Sequence, residues 1–376
     1  MADKSLQPPE DAGVSLPPGE SRDPIHPDEC PSDRESDSDS DSEESIKSTR
    51  SFRSLMLRYV EENGRRYCNG SYFMPNDEAE LTRLNIIHQI YLILLDGRLT
   101  TAPLTADAPR ILDVGTGPGD WAIEMSAEYP RANIIASDLG VFDSGLGHLA
   151  LPNVDFQLAD AQCEWTYHEP FDLIHIRGLS GAFQDWQKIY HQAFTHLKPG
   201  AYLEVADADL AADTISLPCN DPESESQPSS LTTYTSALRA AAAQTGAPRD
   251  LLHLREEALT AAGFVDVRVL ERTIPIGLWP DDFHEKTLGK MALIALLEGL
   301  EANALRPLTR HGDCSVEAAR DLCEQVQTEL LTADRLTAKI RIVTARKPVS
   351  HAQKKQEIMA RAMARVKAID KKAGNA

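Results

Sequence analysis

The chain has 376 residues, of which 42% are hydrophobic and 26% charged, and its formal net charge is −20. This composition is ordinary for a globular protein and excludes a collagen, a disulfide scaffold and a wholly disordered chain. The charge is uneven, because residues 1–50 hold 14 acidic against 5 basic residues while the other 326 residues carry a net charge of −11. An acidic body argues against a protein that coats nucleic acid, so we expect no direct nucleic-acid binding.

Residues 1–50 are predicted to be a disordered tail, because they are rich in Ser, Asp and Pro and offer little apolar surface to bury. Acidic runs with interspersed serines, such as residues 36–44, suit acidophilic kinases, and a phosphate would add further negative charge. A phosphorylation switch and a solvated linker both remain open for this tail.

Residues 51–100 are predicted to form an N-terminal helical lid segment. The pattern indicates a short helix over 52–60, a turn-bearing stretch over 59–67 and a longer amphipathic helix that ends near Leu95. Asn76 is the expected N-cap of the longer helix, with Asp77 and Glu78 in its first turn, and Gly97 ends it.

Residues 101–348 are predicted to form one α/β domain. Short apolar strands are expected at 111–114, 133–137, 154–157, 171–176, 201–206, 265–270 and 339–345. Helices are expected at 121–129, 189–197, 231–244, 251–262, 283–304 and 316–331, and residues 213–230 form a polar loop. Alternating strands and helices predict a mostly parallel sheet with helices on both faces.

The motif that carries chemistry follows the first of these strands. It reads Asp113-Val114-Gly115-Thr116-Gly117-Pro118-Gly119-Asp120, with three glycines at alternate positions that allow positive φ and close approach of a ligand to the backbone. A dinucleotide site needs its third glycine at position 120, where a carboxylate would repel a diphosphate, and no lysine of a P-loop is present.

The glycine spacing suits an S-adenosylmethionine (SAM) site instead, in which Thr116 lies along the cofactor with the glycines. Asp113 is expected to face the methionyl ammonium or the loop amides. A dinucleotide oxidoreductase and a glycine turn without a ligand remain the alternatives.

Two further strand ends carry acidic residues. Asp138 is placed to accept both ribose hydroxyls of a nucleoside cofactor. Asp160 is either the acceptor for the adenine amino group or a helix cap, and Ala161 offers its backbone amide to an adenine ring nitrogen. We expect no metal, because the six cysteines form no CxxC pair and have no histidine at finger spacing.

His175 and Arg177 end the fourth strand and are the candidate catalytic residues. His175 is either a general base or a histidine hydrogen-bonded in the core. No Asn/Asp-Pro-Pro-Tyr element and no catalytic cysteine pair is present. Methyl transfer to an atom that is already nucleophilic depends mainly on positioning, so catalysis does not require an evident base.

Several segments together resemble the fungal LaeA-like methyltransferases over about residues 58–347. They are Asn63-Gly64-Arg65-Arg66-Tyr67, Pro75-Asn76-Asp77-Glu78, the glycine loop, Ile174-His175-Ile176-Arg177, Asp185-Trp186, Leu197-Lys198-Pro199-Gly200 and residues 296–302. The resemblance implies a class I SAM-dependent methyltransferase fold, Rossmann-like, with a mostly parallel seven-stranded sheet. The family's cofactor loop maps onto Asp113, Gly115, Gly117 and Gly119 and its acidic strand end onto Asp138, whereas no firmly shared catalytic residue carries over.

The resemblance also implies a role in fungal secondary metabolism, as a nuclear regulator working with velvet-type proteins or as a cluster-encoded tailoring enzyme. The methyl acceptor is then a small molecule or a protein. The alternative is a regulatory subunit with the SAM fold that binds velvet-type partners and does not need catalysis. The sequence departs from the family in residues 139–151, which are glycine-rich and lack a tryptophan, and in the polar loop at 213–230.

Residues 349–376 are predicted to contain a basic amphipathic helix over 352–372. It is expected to dock on a protein partner, to dock on the chain's own acidic tail or to remain solvated. The longest strongly apolar stretch, residues 291–297, is far shorter than the ~20 residues of a membrane helix, and no secretory signal is visible. We therefore expect a soluble intracellular protein, nuclear or cytoplasmic and not secreted, without membrane contact.

Overall fold

The computed structural model describes residues 59–142, 151–209, 229–333 and 335–349. The acidic tail, the basic helix predicted over 352–372 and nearly all of the polar loop lie outside these residues. The short helix predicted over 52–60 also lies outside them except for its last two residues.

The described chain begins with an antiparallel hairpin. Strand β1 (Val60–Glu62) pairs with β2 (Arg65–Tyr67) across a turn at Asn63 and Gly64, whose φ values are 56° and 79°. The helix predicted to reach Val60 is therefore wrong at that residue. An Asn-Gly pair with positive φ favours a tight hairpin turn, and the turn sets the pairing of the strands on either side.

The long amphipathic helix predicted after residue 76 is α1 (Glu78–Leu94). Its N-cap is Asp77 and not Asn76, because the Asp77 Oδ1 atom accepts the backbone N–H of Glu80 at 3.0 Å. The Asn76 side chain is buried instead, and its amide donates to the backbone carbonyl of Val141 at 3.2 Å. The prediction was one residue early because both residue types cap helices well.

Seven further strands form one sheet. They are β3 (Arg110–Val114), β4 (Asn133–Asp138), β5 (Val154–Leu158), β6 (Phe171–Arg177), β7 (Leu197–Asp209), β8 (Val265–Ile276) and β9 (Leu336–Arg346). Their order in the sheet is β5-β4-β3-β6-β7-β9-β8. The first five in this order are parallel, and β9 is antiparallel to both of its neighbours, which confirms the predicted mostly parallel sheet. The carboxyl ends of the parallel strands meet at one edge, where doubly wound folds bind ligands.

The remaining helices are α2 (Asp120–Glu128), α3 (Trp186–His196), α4 (Ser230–Thr245), α5 (Glu256–Ala261), α6 (Phe283–His311) and α7 (Val316–Thr332). The helix predicted over 251–262 is broken, since a 3₁₀ turn at Leu252–Leu254 precedes α5. Helix α6 runs beyond its predicted end at 304, because burial continues through Pro307 to Leu308. Within the residues described, none of the helices has both the length and the apolar character that a membrane span requires.

The largest apolar cluster lies against the antiparallel end of the sheet. It joins α1, α4, α6 and α7 to the inner faces of β8 and β9. Two further clusters pack the parallel strands against α2, α3 and α5. The sheet is thus covered by helices, as predicted, and the glycine loop lies between the parallel strands and α1.

Candidate functional site

The glycine loop joins β3 to α2 at the carboxyl edge of the sheet. Gly115, Gly117 and Gly119 have φ values of 70°, 59° and 94°, a region that favours glycine. The backbone amides of Gly115 and Thr116 donate to the carbonyl of Ser137 at 2.8 and 3.0 Å. These bonds hold the loop against the end of β4.

The loop leaves little room for side chains. A Cβ atom added at Gly115 would lie 2.7 Å from Cδ1 of Leu179, and one added at Gly119 would lie 2.7 Å from Cε1 of Phe156. The buried hydroxyl of Thr116 has no hydrogen-bond partner among the described residues. A loop with three glycines and one hydroxyl that has no hydrogen-bond partner among the described residues fits a cofactor that is held mainly by main-chain contacts.

Asp138 at the end of β4 clamps this loop. Its Oδ2 atom accepts the N–H of Gly117 at 2.8 Å, and its Oδ1 atom accepts the N–H of Gly140 at 3.0 Å. Burial raises the pKa of Asp138, and these hydrogen bonds act against that rise. Each carboxylate oxygen has a second lone pair, so Asp138 can accept ligand hydroxyls while it holds the loop.

Asp113 and His175 lie beneath the loop and not in the cavity. Both are buried, and the Oδ1 atom of Asp113 lies 2.7 Å from the Nδ1 atom of His175. The imidazole stacks on Trp121 with a centroid distance of 3.9 Å and an interplanar angle of 3°. This placement matches the core-histidine interpretation. The Oδ2 atom of Asp113 is buried and has no hydrogen-bond partner among the described residues, so its contact with a cofactor ammonium or the loop amides stays a prediction.

Asp160 and Ala161 follow β5 at the same edge of the sheet, but they do not line the cavity described below. Asp160 is exposed, and its Oδ1 atom accepts the N–H of Gln162 at 2.8 Å, which caps a turn and not a helix. The carbonyl of Ala161 accepts the indole N–H of Trp165 at 3.0 Å. The adenine contacts of this pair stay a prediction.

One cavity of about 290 Å³ extends from the glycine loop into the large apolar cluster. We call its first part the cofactor half, and it is lined by Gly115, Thr116, Gly117, Pro118, Asp120, Asp138 and Phe142. We call its second part the apolar chamber, and it is lined mainly by Ile90, Tyr91, Tyr234, Leu238, Ile274, Ile276, Ala292, Ala295, Ala338 and Ile340. The chamber belongs to α1, α4, α6, β8 and β9.

Arg177 lies where the two halves meet. In the register of β3 and β6 it follows Ile176, the partner of Val114, so it lies beside the start of the glycine loop. Its Nη2 atom lies 3.1 Å from the Nδ1 atom of His88, and its guanidinium carbon lies 4.9 Å from the centre of the Tyr91 ring. Burial, and then the charge of Arg177, lower the pKa of His88 to about 4, so this imidazole is neutral at pH 7.

Several polar residues around the cavity were not identified from the sequence as site residues. Asp120 lines the cofactor half, and burial raises the pKa of its carboxyl group. Glu80 and Arg83 form a buried ion pair at 2.6 Å on α1, a pairing that their spacing of three residues could have suggested. Arg249 donates to Asn303, which is 54 residues away in the chain, so no local sequence pattern could have predicted that contact.

The chain resembles known methyltransferases. Residues 86–268 match a protein family described as a methyltransferase domain. The secondary metabolism regulator LAE1 of Cochliobolus heterostrophus is 35% identical over 301 residues, which cover 76% of this chain and 94% of that protein. Methyltransferase pytC of Aspergillus terreus is 32% identical over 278 residues, which cover 73% of this chain and 83% of that protein.

Among solved structures, phosphoethanolamine N-methyltransferase 2 of Haemonchus contortus in complex with SAM has a TM-score of 0.40 and 18% identity. The match covers 71% of this chain and 52% of that chain. The fold that the sequence predicted, a class I methyltransferase sheet with a glycine loop after its first strand, is confirmed by the strand order together with the domain match.

Proposed function

Because this chain belongs to the LaeA-like family of fungal methyltransferases, we propose that it transfers methyl groups in fungal secondary metabolism, as a regulator or as a tailoring enzyme. SAM is the cofactor of the methyltransferase domain. When bound, it supplies a methyl group on a sulfonium that is open to attack by a nucleophile.

The observation that carries this proposal is the cavity that joins the glycine loop to the apolar chamber. A cofactor on the loop and an acceptor in the chamber would meet there without crossing bulk water. We assign the ribose hydroxyls to Asp138 and the amino-acid part of the cofactor to Gly115, Thr116 and Gly117. Gly119 shapes the turn into α2.

Calorimetric titration with SAM, S-adenosylhomocysteine and NADH tests the cofactor assignment. SAM and S-adenosylhomocysteine should bind, whereas NADH should not, because the carboxylate of Asp120 at the N-terminus of α2 opposes a diphosphate. Turnover is then measured as S-adenosylhomocysteine formed in the presence of fungal metabolite fractions. Binding of NADH without binding of SAM would overturn the proposal.

The relatives that are named regulators favour a second candidate function, a subunit that acts through velvet-type partners. The predicted docking element is the basic helix in residues 349–376. Truncation after Pro348 should leave SAM affinity intact and weaken complex formation with a velvet-type protein at moderate salt. Equal pull-down yields with and without residues 349–376 would show that this segment is not the docking element.

A further inference from the structure

We propose that the methyl acceptor is a small, mainly apolar molecule with an acidic oxygen, namely a carboxylic acid, phenol or enol that is ionised at neutral pH. Its body fills the apolar chamber, and its oxyanion pairs with Arg177. This inference rests on the proposed function, since it names the substrate class of the same site.

The chamber walls are apolar and buried. The ten residues named above as its main lining all belong to the largest apolar cluster. Tyr234 is part of this wall, and its hydroxyl donates to the backbone carbonyl of Leu300 at 2.8 Å, so the ring and not the hydroxyl is left for a ligand. An apolar body gains about 25 cal/mol for each Å² of surface that it buries in such a site.

The polar side chains that border the chamber are already paired. Glu80 and Arg83 bind each other, and Arg249 binds Asn303 while its guanidinium lies 4.7 Å from the centre of the Phe73 ring. A polypeptide acceptor would bring backbone N–H and C=O groups that need partners when they are buried. The described walls offer few such partners, which favours a compact molecule over a peptide segment.

Arg177, by contrast, is a buried cation at the edge of this apolar chamber. Among the described residues, its guanidinium has the neutral His88 and the Tyr91 ring as neighbours and forms no ion pair with a carboxylate. Burial lowers the pKa of Arg177, and the charges of Asp113, Asp120 and Glu204, which act on it without being in direct contact with it, only partly offset the burial. An oxyanion at the boundary between the two halves would supply a counter-charge in direct contact with the guanidinium.

An ionised acceptor does not need a general base. The three tyrosines Tyr72, Tyr91 and Tyr234 that line the cavity are poor bases, because burial raises their pKa values and keeps their phenols protonated. An acceptor that arrives ionised has already released its proton to solvent. Its oxygen takes the methyl group, the carbon–sulfur bond breaks with its electron pair left on sulfur, and a methyl ether or ester and a neutral thioether result. Mutual neutralisation of two charges is favoured where the dielectric constant is low.

The test uses the full chain loaded with S-adenosylhomocysteine and two fluorescent probes of similar shape. Anilinonaphthalene sulfonate has an apolar body with an anionic group, and N-phenylnaphthylamine is its neutral counterpart. Ala295→Trp fills the chamber and should weaken both probes more than tenfold. Glu298→Trp adds the same indole to the exposed side of the same helix, and it should leave both affinities within twofold.

Arg177→Gln separates the charge from the apolar body. It should weaken the anionic probe about tenfold, leave the neutral probe within twofold and leave the affinity for S-adenosylhomocysteine unchanged. If it instead weakens S-adenosylhomocysteine but not methylthioadenosine, which lacks the amino-acid part, then Arg177 holds the cofactor's carboxylate and the proposal is overturned.

Titration of S-adenosylhomocysteine in each sample shows whether the variant has folded. If Ala295→Trp loses this ligand as well, the smaller Ala292→Leu carries the chamber test. Probe affinities that are unchanged in a chamber variant with intact cofactor binding would overturn this inference alone. Failure of the unmodified chain to bind S-adenosylhomocysteine would overturn the proposed function instead.

Discussion

The two halves of the cavity are built in different ways. The cofactor half comes largely from one contiguous segment, residues 115–120, with Asp138 at the end of the neighbouring strand. The apolar chamber comes from five elements whose residues lie between positions 90 and 340 of the chain. A local motif therefore specifies the cofactor site, whereas long-range packing specifies the space for the acceptor, and changes in one half should leave the other intact.

Substitution in the glycine loop gives the largest expected effect. Gly115→Arg places a side chain at φ 70°, where a Cβ atom would lie 2.7 Å from Leu179, and SAM affinity should fall at least 100-fold, or about 3 kcal/mol. Gly97→Arg is the matched control, because it has a similar φ of 77° and no heavy atom within 4 Å of its added Cβ atom. Both variants carry the strain of a side chain at positive φ, and Gly115→Arg must also displace the Leu179 side chain, so its stability should fall further. Only Gly115→Arg should lose SAM in calorimetry. Unchanged affinity in Gly115→Arg would contradict the site.

Asp138 is expected to have the next largest effect. Asp138→Ala removes the acceptor of the amides of Gly117 and Gly140 and the proposed ribose contact. SAM should therefore bind about 1.5–3 kcal/mol more weakly, the usual contribution of a hydrogen bond to a charged group. S-adenosylhomocysteine shares the ribose and should weaken equally when both are titrated. A loss confined to one ligand would contradict the contact. The neutral chamber probe should be unaffected, which keeps the two halves distinct.

The parallel part of the fold was predictable because each strand is a short apolar run between turn signals. The glycine loop and Asp138 were predictable because positive φ and a strand-end carboxylate leave local marks in the sequence. The pairing of Asp113 with His175 was not, since these two residues are partners in the register of β3 and β6 and the strand order is a long-range property.

The apolar chamber could not be predicted from the sequence, because it too depends on long-range packing. The sequence marks Ala292 and Ala295 as apolar helix positions, but only the packing of α6 against α1, α4, β8 and β9 leaves a space beside them. Arg177 was singled out by its position at a strand end, yet its lack of a carboxylate partner among the described residues depends on the positions of all its neighbours. Binding sites made from distant elements therefore require the structure.

A buried histidine outside both halves tests whether stability can change without changing either site. Burial lowers the pKa of His253 to about 4, and its ring stacks on Trp186 with Asp207 at 3.7 Å. Below about pH 6.5 the unfolded chain binds a proton there that the folded chain does not bind until about pH 4, so the free energy of unfolding falls as the pH falls through this window.

Urea unfolding at pH 6.5 and pH 5 measures this contribution. The unmodified chain should lose about 1.6 kcal/mol more over this interval than His253→Phe, because the slope rises towards about 1.4 kcal/mol per pH unit only once the unfolded imidazole is mostly protonated. The affinities for SAM and for the chamber probes should be the same in both proteins at pH 7. An equal loss of stability in the two proteins would show that His253 is protonated in the folded chain.

The smallest expected effect lies in the chamber wall. Tyr234→Phe removes a hydroxyl that donates to the buried carbonyl of Leu300, so the free energy of unfolding should fall by about 1 kcal/mol. SAM affinity should not change, and the neutral probe should bind as before, because the ring that lines the chamber is kept. Tyr129→Phe is the control, since Tyr129 is half-exposed at the C-terminal end of α2. Loss of its hydroxyl should change stability by less than about 0.5 kcal/mol. If Tyr234→Phe weakened SAM by as much as it lowered stability, the two halves would be coupled through α4 and α6, and the chamber could not be altered independently of the cofactor site.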